Sequence, residues 1–211
     1  MNTDIAIDIE TLRDITPSQE LAFVEKVEPD RRLKDLSKIK ADLDAKVTKA
    51  RDKAALSPLT GSVCCVVCQE VDTAAKPFSV CGPDEAALLS SLCEYLAQYD
   101  MPIRLVTFNG RHFDMPYLVA RCALRGVESV WRWPVGYSPY LVDLRDVLTE
   151  GSLDMWADRF FGVCKEHLGS EVQSLWDAGH ADVVLAHCME DVDLTARIWK
   201  RIRCQIDERR K

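Results

Sequence analysis

The sequence predicts an α/β domain, a mixed five-stranded sheet with helices packed on its faces. Three observations carry this reading. Residues 4–9 alternate in the period-two pattern of a strand, and two β-rich runs near 62–71 and 77–81 complete a meander. From residue 84 onward, helical and strand patterns alternate to the end of the chain. The length of 211 residues suffices for one substantial core, so residues 1–211 are expected to form a single domain.

In the first strand, Ile5, Ile7 and Ile9 point one way, and Asp4, Ala6, Asp8 and Glu10 the other. Over residues 30–56, Leu33, Leu36, Ile39, Leu43, Val47, Ala50 and Ala54 recur at spacings of three and four, the stripe of an amphipathic helix. From Asp30 to Lys53 this stretch carries nine basic and five acidic residues. It reads as a locally basic helical insertion over about 28–60, between the first two strands. The breaker cluster Ser57 to Gly61 ends it, and the β-branched, cysteine-rich second strand follows.

A helix is expected over 84–99, with Pro83 and Asp84 at its start, then a short strand at Arg104–Phe108. Next come a helix over 114–124 stopped by Gly126, a strand at Tyr140–Asp143 and a helix over 152–161. A long helix from about Asp182 to Cys204 closes the chain. No internal repeat or low-complexity segment interrupts this order.

Composition narrows the classes. With 47% hydrophobic and 29% charged residues the chain is of ordinary globular type. The start lacks the basic and apolar regions of an export signal, and no uncharged apolar run approaches membrane-spanning length, so no membrane association is expected. Nine cysteines, an odd number dispersed through apolar surroundings, read as reduced thiols in a cytoplasm. The net charge of −7 argues against binding nucleic acid by bulk electrostatics. A cluster of carboxylates neutralised by cations escapes that objection, because the cations themselves attract phosphate.

Such a cluster is present in three pieces. Asp8 and Glu10 place two carboxylates on one strand face, ~7 Å apart along the chain. Hard oxygen donors at that spacing can share divalent cations such as Mg²⁺ or Mn²⁺. Taken alone, they also suit the solvated face of an edge strand. Asp114 stands where a strand ends, the chain turns at Asn109-Gly110, and a helix opens with Pro116 in its first turn. A helix cap accounts for it equally. On the last helix, His187 and Asp191 lie within about 40° of one another around the axis, whereas His187 and Asp193 are about 120° apart. Asp191 is therefore the better partner, although a buried helix histidine and a surface aspartate would give the same pair.

Together the three pieces resemble the DEDD, or DnaQ-like, 3′-to-5′ exonucleases on the RNase H-like fold. The run Ala6 to Leu12, around Asp8-Ile9-Glu10, looks like their first motif. Phe108 to Leu118 looks like the second and His187 to Thr195 like the third. The likeness spans nearly the whole chain and is closest to the branch resembling the exonuclease domain of family B DNA polymerases. In that branch a basic helical insertion also leads, through a string similar to Ala55 to Gly61, into the second strand. Residues 152–162 likewise resemble the helix before its last motif. One departure concerns His187. The branch usually has tyrosine there, with three residues between it and the final aspartate, and the DnaQ branch proper has histidine with four residues between.

The resemblance implies a two-metal site in which Asp8, Glu10, Asp114 and Asp191 hold two divalent cations, Mg²⁺ or Mn²⁺. It implies that Asp8 bridges both, that Glu10 and Asp191 share the cation that activates water, and that Asp114 supports the other through coordinated water. His187 would orient or deprotonate the attacking water, since an imidazole with an unperturbed pKa near ~6.5 accepts a proton at neutral pH. Phe108, Asn109 and Phe113 fall where the family grips the terminal nucleotide, though Phe113 also suits the core of its helix.

The expected activity is release of nucleoside 5′-monophosphates from the 3′ ends of single-stranded DNA. RNA trimming and a catalytically silent nucleic-acid-binding module are the alternatives. The helix over 30–56 either guides single-stranded nucleic acid or packs its apolar stripe on the sheet, a protein partner or a second copy. Cys65 and Cys68, three apart on a strand, face opposite ways and make no zinc pair. Asp143 ends a strand near the site but matches no ligand position.

Overall fold

In a computed structural model, the protein is described over residues 3–25, 27–99, 102–129, 131–163 and 169–207. The chain forms two compact units, Met1–Glu10 with Val63–Lys211, and Thr11–Ser62. Strand β1 (Thr3–Arg13) runs from the first unit into the second and is longer than its alternating segment, with a sheet neighbour on either side.

Within residues 11–62 lie helices α1 (Pro17–Glu25) and α2 (Leu36–Ala54), which pack together. The apolar periodicity placed the start of α2 near residue 30, but the helix begins at Leu36. Asp35 decides this: its carboxylate accepts from the N–H groups of Ser37 and Lys38 and caps the first turn. The residues before it fold back on the helix, the Asp30 N–H donating to Asp42 and the Lys46 ammonium bonding both Asp42 and the Glu28 carbonyl. Some of the basic charge is therefore met inside this unit. Helix α1, nine residues without a clear apolar stripe, left no periodic signature.

The remaining strands are β2 (Gly61–Glu70), β3 (Phe78–Cys81), β4 (Ile103–Thr107) and β5 (Leu141–Asp143), so all five predicted strands are present. The sheet order is β3-β2-β1-β4-β5. Strand β4 is parallel to β1 and to β5, while β3 is antiparallel to β2. This is the mixed, helix-flanked sheet expected from the sequence.

Helix α3 (Glu85–Ala97) is capped by Asp84, and α4 (Asp114–Arg125) ends at Gly126 in the left-handed conformation, φ 66°. Both belong to the core that holds Ile5, Ile7 and Ile9, through Leu88, Leu89, Leu92, Met115 and Leu118. Buried Glu85 ties them together, accepting from Arg121 Nε at 2.7 Å, from Arg125, and from the Val63 N–H at 2.7 Å.

Three further helices, α5 (Leu144–Leu148), α6 (Leu153–Phe161) and α7 (Val172–Asp177), lead to the long α8 (Ala181–Asp207). Helix α8 lies over the other face of β1. Its Trp199 Nε1 donates to Asp4 at 2.6 Å, and its Cys188 thiol donates to the Asp8 carbonyl at 3.5 Å. Eleven helical residues cover ~16 Å and four strand residues ~13 Å, so α8 runs antiparallel to β1. That direction brings the N-terminal half of α8, with His187 and Asp191, to the C-terminal end of β1. Among the described residues no helix is long and apolar enough to cross a membrane, and the eight described cysteines are all free thiols; Cys164 lies outside the described residues.

Candidate active site

The strand register explains why distant motifs meet. Ala6 pairs with Val106, and continuing that register two residues sets Asp8 level with Phe108, just past the end of β4. The ends of parallel strands are where an open α/β sheet leaves a crevice, because the chain departs there into loops and helix starts. A cleft of about 170 Å³ occupies this position.

All the residues expected at the site line that cleft: Asp8, Glu10, Phe108, Asn109, Phe113, Asp114, His187 and Asp191. Ile9, Asp154 and Gly169 complete it. Asp193 lies elsewhere, pairing with Arg197 one turn along α8 at 3.3 Å, as the helical period required.

Each side chain owes its place to local structure. Asp8 is half-buried, while Glu10 is buried on the same face two residues on. Asp114 is the first residue of α4, but it caps nothing: the N-cap position is Phe113, without a side-chain cap bond. Its carboxyl group is buried, 3% exposed, and Oδ1 has no hydrogen-bond partner. Burial first, then the nearby Asp143 and Asp191 charges, pushes it up to about 7, against the opposing effect of backbone N–H donors. A buried carboxylate oxygen lacking a donor fits a cation, which would supply the missing positive partner. The donor set is of oxygen type, as Mg²⁺ and Mn²⁺ prefer. Asp8 and Glu10 have donor atoms within 4.8 Å of one another and of the Cys188 sulfur.

His187 is 4% exposed, and its Nε2 lies 3.5 Å from Glu10 Oε1. The imidazole thus sits against one of the candidate ligands, within the cleft where a water would be held.

The turn after β4 is held by a residue that sequence reasoning noticed without assigning. Asp143, 1% exposed at the end of β5, accepts from the N–H groups of Asn109 at 2.7 Å and Arg111 at 2.9 Å, and caps α5 through the Arg145 N–H. Asn109 has φ 70°, the left-handed region that asparagine tolerates better than most residues. Gly110 is required next, since a Cβ there would lie 2.5 Å from that of Thr107. Arg145 Nη1 donates to the Asn109 amide oxygen at 3.2 Å and aims that side chain. Phe113 lines the cleft, and its ring packs on Tyr117 at 5.3 Å between centroids and against the core.

Asp154 was missed. It lies in the first turn of α6, behind the Ser152 cap, and from sequence reads as a helix-start acid; only its position in the cleft distinguishes it. Cys188 was missed as well, because an apolar-looking residue beside His187 gives no sign that its thiol meets Asp8 Oδ2, at 3.7 Å.

Residues 59–209 match a protein family described as a predicted 3′-5′ exonuclease related to the exonuclease domain of PolB. The chain belongs to this family. The match takes in Asp114, His187 and Asp191, while Asp8 and Glu10 precede it. Family membership agrees with the resemblance carried by the three motifs. Among solved structures, the family B DNA polymerase of the hyperthermophilic archaeon Pyrobaculum calidifontis superposes with a TM-score of 0.62 at 19% identity. The alignment covers 96% of this chain and 24% of the polymerase, so the chain spans about a quarter of that protein's length. At that identity the likeness establishes the fold. No curated protein matches the chain.

Proposed function

We propose that this protein is a metal-dependent 3′-to-5′ exonuclease releasing nucleoside 5′-monophosphates from nucleic-acid 3′ ends, preferentially of single-stranded DNA. The observation that carries the reading is the convergence of Asp8, Glu10, Asp114 and Asp191 with His187 in one cleft at the strand ends. Residues 1–211 would act as one exonuclease domain of a cytoplasmic enzyme, with about 28–60 as a helical insertion that engages nucleic acid or a partner.

In this reading the four carboxylates would hold two divalent cations, Mg²⁺ or Mn²⁺. Such cations, when bound, supply Lewis-acid activation of water and charge stabilisation at the leaving oxygen. Asp8, Glu10, Asp114 and Asp191 are the residues that would hold them, with Glu10 and Asp191 on the side of the attacking water. His187, held against Glu10, orients the attacking water and takes its proton. Phe108 and Phe113 stack on the terminal bases, which suits an enzyme that must remove any nucleotide. Asn109, aimed by Arg145, hydrogen-bonds the terminal nucleotide.

The test offers matched single-stranded DNA, double-stranded DNA and RNA, each labelled at the 5′ end, to the parent protein and to Asp8→Ala with Mn²⁺. The expected result is a ladder shortened from the 3′ end, strongest on single-stranded DNA and absent with the variant. A ladder strongest on RNA moves the substrate to RNA trimming. No shortening of any substrate, or equal shortening by Asp8→Ala, overturns the enzymatic reading in favour of a silent binding module.

A further inference from the structure

Residues 131–140, between α4 and β5, build a second cavity apart from the cleft. It holds about 360 Å³ and is lined by Ile103 at the start of β4 and, from the loop, by Trp131, Arg132, Trp133 and Tyr140. Both indoles are half-buried against the core, yet each Nε1 is buried and has no hydrogen-bond partner. A buried indole N–H usually finds an acceptor, so two unmatched donors in one wall mark a place that a ligand's acceptors would satisfy. Arg132 is exposed, and among the described residues no carboxylate pairs with it. Aromatic walls, N–H donors and a cation together suit a planar ring that bears acceptors beside an anionic group, which is the chemistry of a nucleotide.

The loop also connects this cavity to the cleft. Ile103 and Phe108 stand at opposite ends of β4, ~17 Å apart at ~3.3 Å per residue. Across that gap Arg111, two residues past Asn109, donates through Nη1 to the Gly136 carbonyl and sets its guanidinium 4.6 Å from the centroid of the Tyr137 ring. Tyr137 is 89% exposed. A ring so exposed, fixed from one side by a cation, is a stacking platform beside the turn that enters the cleft. We propose that the cavity binds a base of the single strand upstream of its 3′ end, and that Tyr137 stacks a base between cavity and cleft. The identity of this ligand rests on the exonuclease reading. At ~3.4 Å per stacked nucleotide the gap corresponds to about five nucleotides, so only longer strands fill both sites. Stacking accepts any base, whereas bases in a duplex are already stacked on their neighbours, so the cavity selects long single strands.

The test measures binding to the full chain, with Ca²⁺ as the cation and under conditions in which no product ladder forms. Oligothymidylates of about four and about twenty nucleotides fall short of and exceed the span. They are titrated, with dTMP and a proline-rich peptide, into the parent, Arg132→Ala, Tyr137→Ala and Tyr140→Ala, all three at exposed positions. Anisotropy of a 5′ label and tryptophan emission are followed, and the double variant Trp131→Phe/Trp133→Phe, its folding checked by circular dichroism, assigns the emission change. The expected result is that the long strand binds about tenfold more tightly than the short one and lowers tryptophan emission saturably. Each alanine variant weakens the long strand by about tenfold and leaves the short strand's affinity as in the parent, and the double variant loses the emission change. Equal affinity of the parent for both lengths overturns the proposal, as do alanine variants that weaken both lengths alike or neither. So does a dTMP site that depends on Arg132 while the long strand ignores it, or a peptide that binds the parent and not Tyr140→Ala while the strand is indifferent to that change. An inactive nuclease whose length-dependent binding is intact would overturn the exonuclease reading alone.

Discussion

The Asp143 carboxylate receives the Asn109 N–H at 2.7 Å, so a buried acid at the end of β5 holds the turn that carries Asn109 into the cleft at the end of β4. The same carboxylate takes the Arg111 N–H at 2.9 Å. Three sheet-end features thereby become one rigid loop: the left-handed Asn109, the close-packed Gly110 and the arginine-aimed amide.

Asp143→Ala leaves three backbone N–H donors, those of Asn109, Arg111 and Arg145, without this acceptor. The expected cost is about 2 to 4 kcal/mol in urea-induced unfolding, from hydrogen bonds to a charged group worth about 1.5 to 3 kcal/mol each and not additive. A larger rise in KM than fall in kcat is expected too, because the residue holds the turn that carries Asn109 into the cleft. Unchanged stability and KM would remove this role.

Asp114 makes the stability of the metal-free protein depend on pH. Its folded value is raised from the ordinary 3.8 to about 7, so in that interval the folded chain keeps a proton that the unfolded chain has lost. Stability contributed by the neutral form is therefore present at low pH and lost as pH climbs from about 4 to about 7, by up to ~4 kcal/mol. Asp114→Asn, which cannot ionise, should flatten this part of the profile in EDTA and be more stable than the parent at pH 7.5. Chemical denaturation across a pH series measures it. A parent profile that rises over the interval would contradict the assignment.

For His187, the proposed role as proton acceptor requires kcat of the Mn²⁺-loaded enzyme to rise through the range in which an imidazole loses its proton. His187→Ala should lower kcat by ~10² to 10⁴ and erase that rise. His187→Tyr should restore orientation of the water without the imidazole titration. If neither variant alters the pH–rate profile, the residue has no part in proton transfer.

Asp4 shares the strand face of Asp8 and Glu10 yet is structural. Its carboxylate is paired with Arg104 at 2.8 and 2.9 Å and accepts from Trp199 Nε1 at 2.6 Å. Asp4→Ala breaks a buried pair and should cost about 3 to 5 kcal/mol, while Mn²⁺ affinity measured calorimetrically on the folded fraction stays as in the parent. A weakened metal affinity would place Asp4 in the site instead.

Asp4 also marks where reading the sequence stops. Period-two alternation put it with Asp8 and Glu10, correctly as to face, but pattern alone does not distinguish an acid that meets Arg104 and Trp199 from acids that open into a cleft. Local periodicity did determine the strands, the long helices, and the choice of Asp191 over Asp193, because these depend only on spacing along a single element. It overran the start of α2, where the Asp35 cap overrides apolar spacing, and passed over α1, α5 and α7, of nine, five and six residues, too short or too weakly patterned to show a helical period. Order and identity of the motifs were enough to name the exonuclease family. Tertiary structure decided the rest: the burial that raises Asp114, the anchoring of Asn109 by Asp143, and the arrival of Asp154 and Cys188 beside ligands far away in the chain. Those properties belong to the meeting of elements, since desolvation, charge and sulfur–oxygen distance depend on which surfaces pack together, and no spacing within one segment encodes them.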